Sequence, residues 1–225
     1  MKKIVFDTST LISLVTNDLL WVLKPLREKF NGEFLIPPSV KKELVDYPLK
    51  INRFKFEAVR IQSFIENGVL NLKERVDITN LLNSVNHIYS ANNENIKILH
   101  YGEIEALALA VSNKADAYIV DERTMRWLIE DPEALRQLLE SKLHTPVTMD
   151  ISLIRNFKNF IKDVKVIRST ELVMVAYELG LLKELVTNKY GAKELVDGVL
   201  WGLRRKGCAI STEEINDLVR METKL

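Results

Sequence analysis

The sequence is poor in the residues that most small catalytic sites use. It has 1 Cys and 3 His among 225 residues. Cys208 has no partner for an internal disulfide, and His87, His100 and His144 are scattered without zinc-ligand spacing, so zinc and thiol-redox chemistry are poor readings. Glycine is also scarce, at 8 residues, and the glycine fingerprints of dinucleotide and P-loop sites are missing. No apolar run approaches the roughly 18 residues that a membrane helix needs. The start, Met1-Lys2-Lys3 followed by Ile4-Val5-Phe6-Asp7, is too short an apolar stretch for a signal-peptide core. A cytoplasmic protein with no membrane partner is expected. An excess of one charge is missing too, since 32 Lys plus Arg against 31 Asp plus Glu leaves +1. That balance argues against coating nucleic acid through bulk charge, but permits local patches. With 47% hydrophobic residues, the chain has enough apolar surface for a proper core, which excludes disorder and small disulfide scaffolds.

What is present alternates between strands and helices. Lys3-Ile4-Val5-Phe6 is a short apolar run ended by Asp7, and Thr8-Ser9-Thr10 offers N-cap hydroxyls ahead of Leu11, Ile12, Leu14 and Val15. This predicts strand, turn, helix. The helical pattern continues through Trp21, Val22, Leu26 and Phe30 to an Asn31-Gly32 stop. Phe34-Leu35-Ile36 predicts a second strand, and Pro37-Pro38-Ser39 opens a helix bearing Glu43. A helix over 50–67, a strand over 69–72, a helix over 77–91 and a polar loop over 91–95 follow. Strong helix formers over 103–111 precede Ala117-Tyr118-Ile119-Val120, a strand again ended by an acid, Asp121. Helices over 123–130, 132–142 and 150–161, a strand over 164–167, and helices over 170–182, 183–189, 192–205 and from 211 onward complete the reading. There is no internal repeat or low-complexity linker. One domain over 1–225, with helical elaborations at about 50–95 and 124–165, is the preferred organisation, and a division near residue 146 is its rival.

In parallel α/β sheets, ligands sit beyond the carboxyl ends of strands where the strand order reverses. If the strands before Asp7 and Asp121 are neighbours, both carboxylates emerge at one edge. A single such Asp would read as a helix N-cap, so the recurrence is the signal. Carboxylates held together repel, and a hard divalent cation resolves that repulsion with oxygen ligands. Without a His or Cys cluster the expected metal is Mg²⁺ or Mn²⁺, and the expected reaction is phosphodiester hydrolysis. Glu43 and one of Glu103 or Glu105 could complete the site. Each alone also reads as a solvated surface acid.

These residues carry a family resemblance. Asp7-Thr8-Ser9-Thr10-Leu11-Ile12, Ile36-Pro37-Pro38-Ser39-Val40-Lys41-Lys42-Glu43-Leu44, Tyr101-Gly102-Glu103-Ile104-Glu105-Ala106-Leu107-Ala108 and Ile119-Val120-Asp121-Glu122-Arg123 resemble, in order, the motifs of PIN-domain nucleases. Arg168-Ser169-Thr170-Glu171, Leu203-Arg204-Arg205-Lys206-Gly207 and Ile210-Ser211 are similar to the end of prokaryotic stand-alone members. The resemblance implies a three-layer α/β/α fold with a central, mainly parallel sheet of about five strands and extra helices. It also implies four carboxylates that bind Mg²⁺ or Mn²⁺ and hydrolyse RNA with a metal-activated water. Asp7, Glu43 and Asp121 carry over directly. For the third acid, the family's Asp-Ala pattern selects Glu105, while Glu103 belongs to a Gly-Glu-x-Glu-Ala variant. Two positions apart on a helix point about 200° apart, so both cannot face one metal. The expectation is therefore Asp7, Glu43, Glu105 and Asp121 as catalytic metal ligands. Glu103 is expected beside them as a supporting partner, and Ser9 as the hydroxyl that steadies Asp7.

For the substrate, residues 155–168 hold five cations, Arg155, Lys158, Lys162, Lys165 and Arg168, against one acid, with Phe157 and Phe160 interleaved. This is the expected nucleic-acid surface, although the same spacing fits an amphipathic helix with Ile154, Phe157 and Ile161 in the core. Arg53, Lys55 and Arg60 form a weaker patch, as do Arg204, Arg205 and Lys206. The expected partner is RNA; a second copy of the chain could dock through Trp21-Val22-Leu23 or Val199-Leu200-Trp201, although most of each segment reads better as core, and an antitoxin or an RNA-processing partner is a further option. A haloacid-dehalogenase-type phosphatase would need Asp where Ser9 stands, and a receiver-type phosphoacceptor leaves Glu43 and the 102–105 helix unexplained. The non-enzyme alternative is a PIN-like RNA-binding scaffold with weak or absent catalysis. Within the enzyme reading, a toxin nuclease of a toxin–antitoxin pair competes with a housekeeping RNA-processing enzyme.

Overall fold

The computed structural model describes residues 2–187 and 189–222. In chain order β1 (Lys2–Phe6), α1 (Thr8–Thr16), α2 (Leu23–Phe30), β2 (Gly32–Ile36), α3 (Pro38–Lys41), α4 (Lys55–Glu66) and β3 (Leu70–Leu72) form the first part. Then come α5 (Thr79–Val85), β4 (Tyr89–Ala91), β5 (Glu94–Asn95), α6 (Tyr101–Ser112), β6 (Ala117–Ile119), α7 (Arg123–Glu130) and α8 (Pro132–Leu143). The chain continues through β7 (Thr148–Met149), α9 (Ile151–Ile161), β8 (Val166–Ile167), α10 (Ser169–Glu178), α11 (Ala192–Arg205) and α12 (Thr212–Glu222).

The central sheet runs β3-β2-β1-β6-β8 and every pairing in it is parallel. Strands covered on both faces must be apolar on both faces. Val5, Phe6, Phe34, Leu35, Ile36, Tyr118 and Ile119 are accordingly fully buried, and the Phe6 and Phe34 rings meet at 5.1 Å. Five parallel strands flanked by helices agree with the predicted α/β architecture. One hydrophobic core runs from Ile4 on β1 to Val219 on α12.

The structure departs from the predicted elements where the backbone changes hand. The helix expected over 8–30 is broken after Thr16, where Asp18 takes φ 57°. The helix expected from Lys50 starts at Lys55, because Phe54 sits at φ 60°. The expected 91–95 loop is a hairpin: Asn92 and Asn93 both take positive φ, the turn that fits the twist of two antiparallel strands. β4 also pairs antiparallel with β7, making a second sheet, β5-β4-β7, that joins the two segments expected to be helical. The helix expected over 183–189 is a single turn over Lys183–Leu185, with Asn188 outside the described residues. The C-terminal helix is described to Glu222, and residues 223–225 lie outside the described residues.

Candidate active site

β1 and β6 are sheet neighbours, with Phe6 opposite Ile119. β2 and β3 extend the sheet from one side of this pair and β8 from the other, so its carboxyl edge is the switch point of the strand order. Asp7 and Asp121 both emerge there. Asp7 itself is the N-cap of α1, in place of the expected hydroxyls of residues 8–10: its Oδ2 accepts from the Ser9 amide at 2.9 Å and from Ser9 Oγ at 2.6 Å. Ser9 Oγ in turn accepts from the Asp121 amide at 3.1 Å, so one hydroxyl ties both acid-bearing loops together. The other Asp7 oxygen, Oδ1, is buried and has no hydrogen-bond partner. Burial pushes the Asp7 carboxyl up to about 6; the Ser9 bonds and the Thr8 amide pull the other way, and the Glu43 charge adds to the rise.

Asp121 is fully buried and is held by a residue that the sequence reading did not assign to the site. The Ser169 amide donates to Oδ1 and Ser169 Oγ to Oδ2, each at 2.7 Å, at the first turn of α10. A helix N-terminus favours a carboxylate there. The local signal was Glu171, which accepts from the Arg168 amide at 2.6 Å and so marks the helix start. Nearby, burial pushes the Cys208 thiol up to about 12 and the Asp121 charge adds to it, which keeps the sulfur unreactive.

Glu43 lies in a π turn, Lys42–Asp46, closed by the Tyr47 amide donating to the Lys42 carbonyl at 2.9 Å. It is exposed, and its Oε2 accepts from Thr8 Oγ1 at 2.7 Å. A Cβ at position 102 would stand 2.5 Å from Glu43 Oε1, so any side chain there would push this exposed carboxylate aside.

The two glutamates of α6 part company as their spacing predicts. Glu103 accepts from the His100 amide at 2.7 Å. Its carboxyl is pushed up to about 7, first by burial and then by the charges of Asp7, Glu122 and Glu43. Glu105 is 1% exposed; its Oε2 accepts from the Ser39 amide on α3 at 2.9 Å, and Oε1 meets only the Tyr101 hydroxyl at 3.5 Å. Glu103 therefore shares the field of Asp7 and Glu43. Glu122, which the sequence reading did not single out, caps α7 through the Met125 amide at 2.7 Å and adds to that field.

Among the described residues, no three His, Cys, Asp or Glu side chains converge closely enough to hold an ion as they stand. The chemistry of the set nevertheless fits a hard divalent cation. Every donor is a carboxylate oxygen, two of the carboxyls are pushed toward neutrality, and one buried oxygen of Asp7 is without a partner.

The expected basic surface is not gathered around these acids. Arg168 is buried, 9% exposed, and its guanidinium bonds Glu171, Glu214 at 2.8 Å and the Ala209 carbonyl at 3.0 Å. Lys158 donates to the Ile129 carbonyl, and burial lowers its pKa. Arg155, Lys162 and Lys165 are exposed, but the two lysines precede β8 at its amino end, whereas the acids follow the carboxyl ends. Phe157 packs into the core and Phe160 is 38% exposed. The cations that do flank the acids are others. A groove of about 660 Å³ beside Glu43 contains Lys42 and Arg75, and one of about 760 Å³ beside Glu122 contains Arg123, Arg126 and Arg204.

A five-stranded parallel sheet with acids gathered at its switch point defines an α/β protein with an acidic site at the carboxyl edge. Within that class the chain belongs to the PIN-domain family, a family of nucleases: a family model described as a PIN domain matches residues 3–131, more than half of the chain. No curated protein and no solved structure matches it. The matched segment contains Asp7, Glu43, Glu103, Glu105, Asp121 and Glu122, while β8 and Ser169 lie beyond it. Among the described residues no helix is long and apolar enough to cross a membrane.

Proposed function

We propose that the protein is a divalent-metal-dependent endoribonuclease in which Asp7, Glu43, Glu103 and Asp121 hold Mg²⁺ or Mn²⁺. Glu103 takes the place that the family pattern alone gives to Glu105. The observation that supports this most is Asp7 Oδ1, a buried carboxylate oxygen without a partner, in a carboxyl pushed up to about 6 beside two further acids. Left ionised and unpaired it is costly, and proteins rarely keep such an atom without a use for it. When bound, the cation supplies Lewis acidity toward a phosphodiester and lowers the barrier to attack by water.

The chain's own residues do the positioning. Ser9 fixes Asp7 and the Asp121 loop together, Ser169 holds both oxygens of Asp121, and Thr8 steers Glu43. Glu103, pushed up to about 7, is about half protonated in the metal-free protein at neutral pH, and a bound cation would favour its ionised form. Lys42 and Arg75 on one side and the exposed Arg123 on the other offset the phosphate charge of a strand lying across the acids.

The test is cleavage of single-stranded and structured RNA and DNA with Mg²⁺, Mn²⁺ or EDTA, alongside Asp7→Asn. RNA cleavage that needs the metal and falls on the order of 100-fold in the variant is expected. Cleavage in EDTA, or unchanged turnover by Asp7→Asn, overturns the proposal.

A further inference from the structure

The groove on the Glu43 side is more than a channel for phosphates. Its wall carries Tyr47, a tyrosine left 61% exposed. Opposite chemistry comes from Arg75, whose Cζ lies 5.2 Å from the centroid of the Tyr101 ring and whose Nε donates to the Tyr101 hydroxyl at 2.7 Å. Although Arg75 is exposed, these two contacts orient its guanidinium over the Tyr101 ring before any ligand arrives. Glu105 also lines the groove, although it is buried, and its Oε1 has no contact better than the 3.5 Å one with the Tyr101 hydroxyl. Tyr101 and Glu105 stand four residues apart, on one face of α6. Gly102 and Glu43 are walls of the same groove and join it to the acid site.

We propose that this groove seats one unpaired RNA base next to the scissile phosphate, with Tyr47 and the Arg75 guanidinium as stacking surfaces and Glu105 as the acceptor that selects guanine. The identity of the polymer rests on the ribonuclease reading above. Aromatic rings and guanidinium planes stack on any base and give affinity without sequence preference. Preference comes from the carboxylate, which only accepts hydrogen bonds. Guanine alone presents two adjacent donors, N1–H and the N2 amino group, on its Watson–Crick edge. Uracil presents one donor between two acceptors, and both acceptors would face the carboxylate's charge. A buried acid that reads a base also explains why α6 carries two glutamates pointing apart: one for the metal and one for the substrate.

The experiment measures binding of fluorescently labelled single-stranded RNA octamers to the full-length chain by anisotropy, in EDTA and in an Asp7→Asn background so that nothing is cleaved. The octamers are all-uridine, or uridine with a single guanosine or adenosine. The guanosine octamer should bind about tenfold more tightly than the all-uridine one. Tyr47→Ala should weaken its binding about tenfold, within what one base stack is worth, and Tyr47→Phe should not. Glu105→Gln should abolish the preference for guanosine; a thermal melt shows whether that variant folds, and the Tyr47 pair tests the seat independently of it. Equal binding of the guanosine and uridine octamers, or indifference to Tyr47→Ala, overturns the base seat. Because binding is read without turnover, a protein that shows the guanosine preference but never cleaves RNA overturns the nuclease reading alone. One that cleaves in Mn²⁺ but binds every octamer equally overturns only the base seat.

Discussion

Replacing Asp7 with Asn is expected to stabilise the metal-free protein at pH above about 7 while removing its activity. The Asp7 carboxyl is pushed from its usual 3.8 to about 6 by burial, and each tenfold change in proton affinity is worth about 1.4 kcal/mol, so keeping it ionised costs the fold on the order of 3 kcal/mol. Asn removes that cost and retains one acceptor oxygen for the Ser9 amide and hydroxyl. Its amide stands where Oδ1 had no partner, and two unmet donors cost about 1–3 kcal/mol. The net gain is at most about 2 kcal/mol, or a rise of up to about 8 °C in Tm for a chain of this size. The sign with pH follows from linkage. The native carboxyl binds its proton more tightly than the unfolded one, so the penalty from Asp7 is absent below 3.8 and grows as pH rises to about 6. The advantage of Asn should therefore be full on the alkaline side and disappear as pH falls from about 7 toward 4. Thermal melts followed by circular dichroism in EDTA, at several pH values, read this directly. A variant that melts lower at every pH, by the roughly 1 kcal/mol that loss of a helix N-cap costs, would refute the reasoning and leave Asp7 as an ordinary cap.

Adding Mn²⁺ should reverse the order, raising the Tm of the unsubstituted protein by about 2.7 kcal/mol of stability at a hundred times Kd and leaving Asp7→Asn nearly unmoved, as a titration of melting curves will show. Gly102→Ala should separate activity from stability. Alanine favours the helix by up to about 1 kcal/mol, but its Cβ displaces Glu43, so RNA cleavage should fall about 10–100-fold with no loss of Tm; full activity would remove Glu43 from the site. Ser169→Ala takes one donor from Asp121, which should weaken Mn²⁺ binding about 10–100-fold in calorimetry, and unchanged affinity would mean that Asp121 needs no such support. Arg168→Ala leaves Glu171 and Glu214 without their buried partner; both acids are partly exposed, so a loss of about 2 kcal/mol in urea unfolding is expected, and a loss below about 0.5 would contradict a structural role for this arginine.

Much of the site was legible because buried parallel strands read as unbroken apolar runs, and those runs stop at Asp7 and Asp121. That the two strands are neighbours is a long-range fact, since β1 pairs with a strand more than a hundred residues away. The opposite directions of Glu103 and Glu105 depend on where α6 begins. Glu103 caps the helix through the His100 amide, which sets the phase of the turn and sends Glu105 toward Ser39. Neighbouring residues signal such a helix start, but not which acid lies opposite it, which is also why Ser169 could not be matched with Asp121, 48 residues earlier. The basic run at 155–168 is continuous in sequence but spans a helix end, a turn and a strand. Its members therefore scatter to the Ile129 carbonyl, to solvent and to buried ion pairs. The hairpin at Asn92-Asn93 was readable from the left-handed preference of asparagine, which the polar composition of that stretch concealed.

The central claim is that Asp7 and Glu103, with Glu43 and Asp121, form a cation site in this PIN-domain protein. Its most direct test is Mn²⁺ binding at neutral pH, followed by loss of the free-ion electron paramagnetic resonance signal, in the unsubstituted protein and in Asp7→Asn, Glu103→Gln and Glu105→Gln. The unsubstituted protein and Glu105→Gln should bind the ion alike, and the other two at least about tenfold more weakly. Binding that survives Asp7→Asn and Glu103→Gln, or that is lost only in Glu105→Gln, would contradict the account.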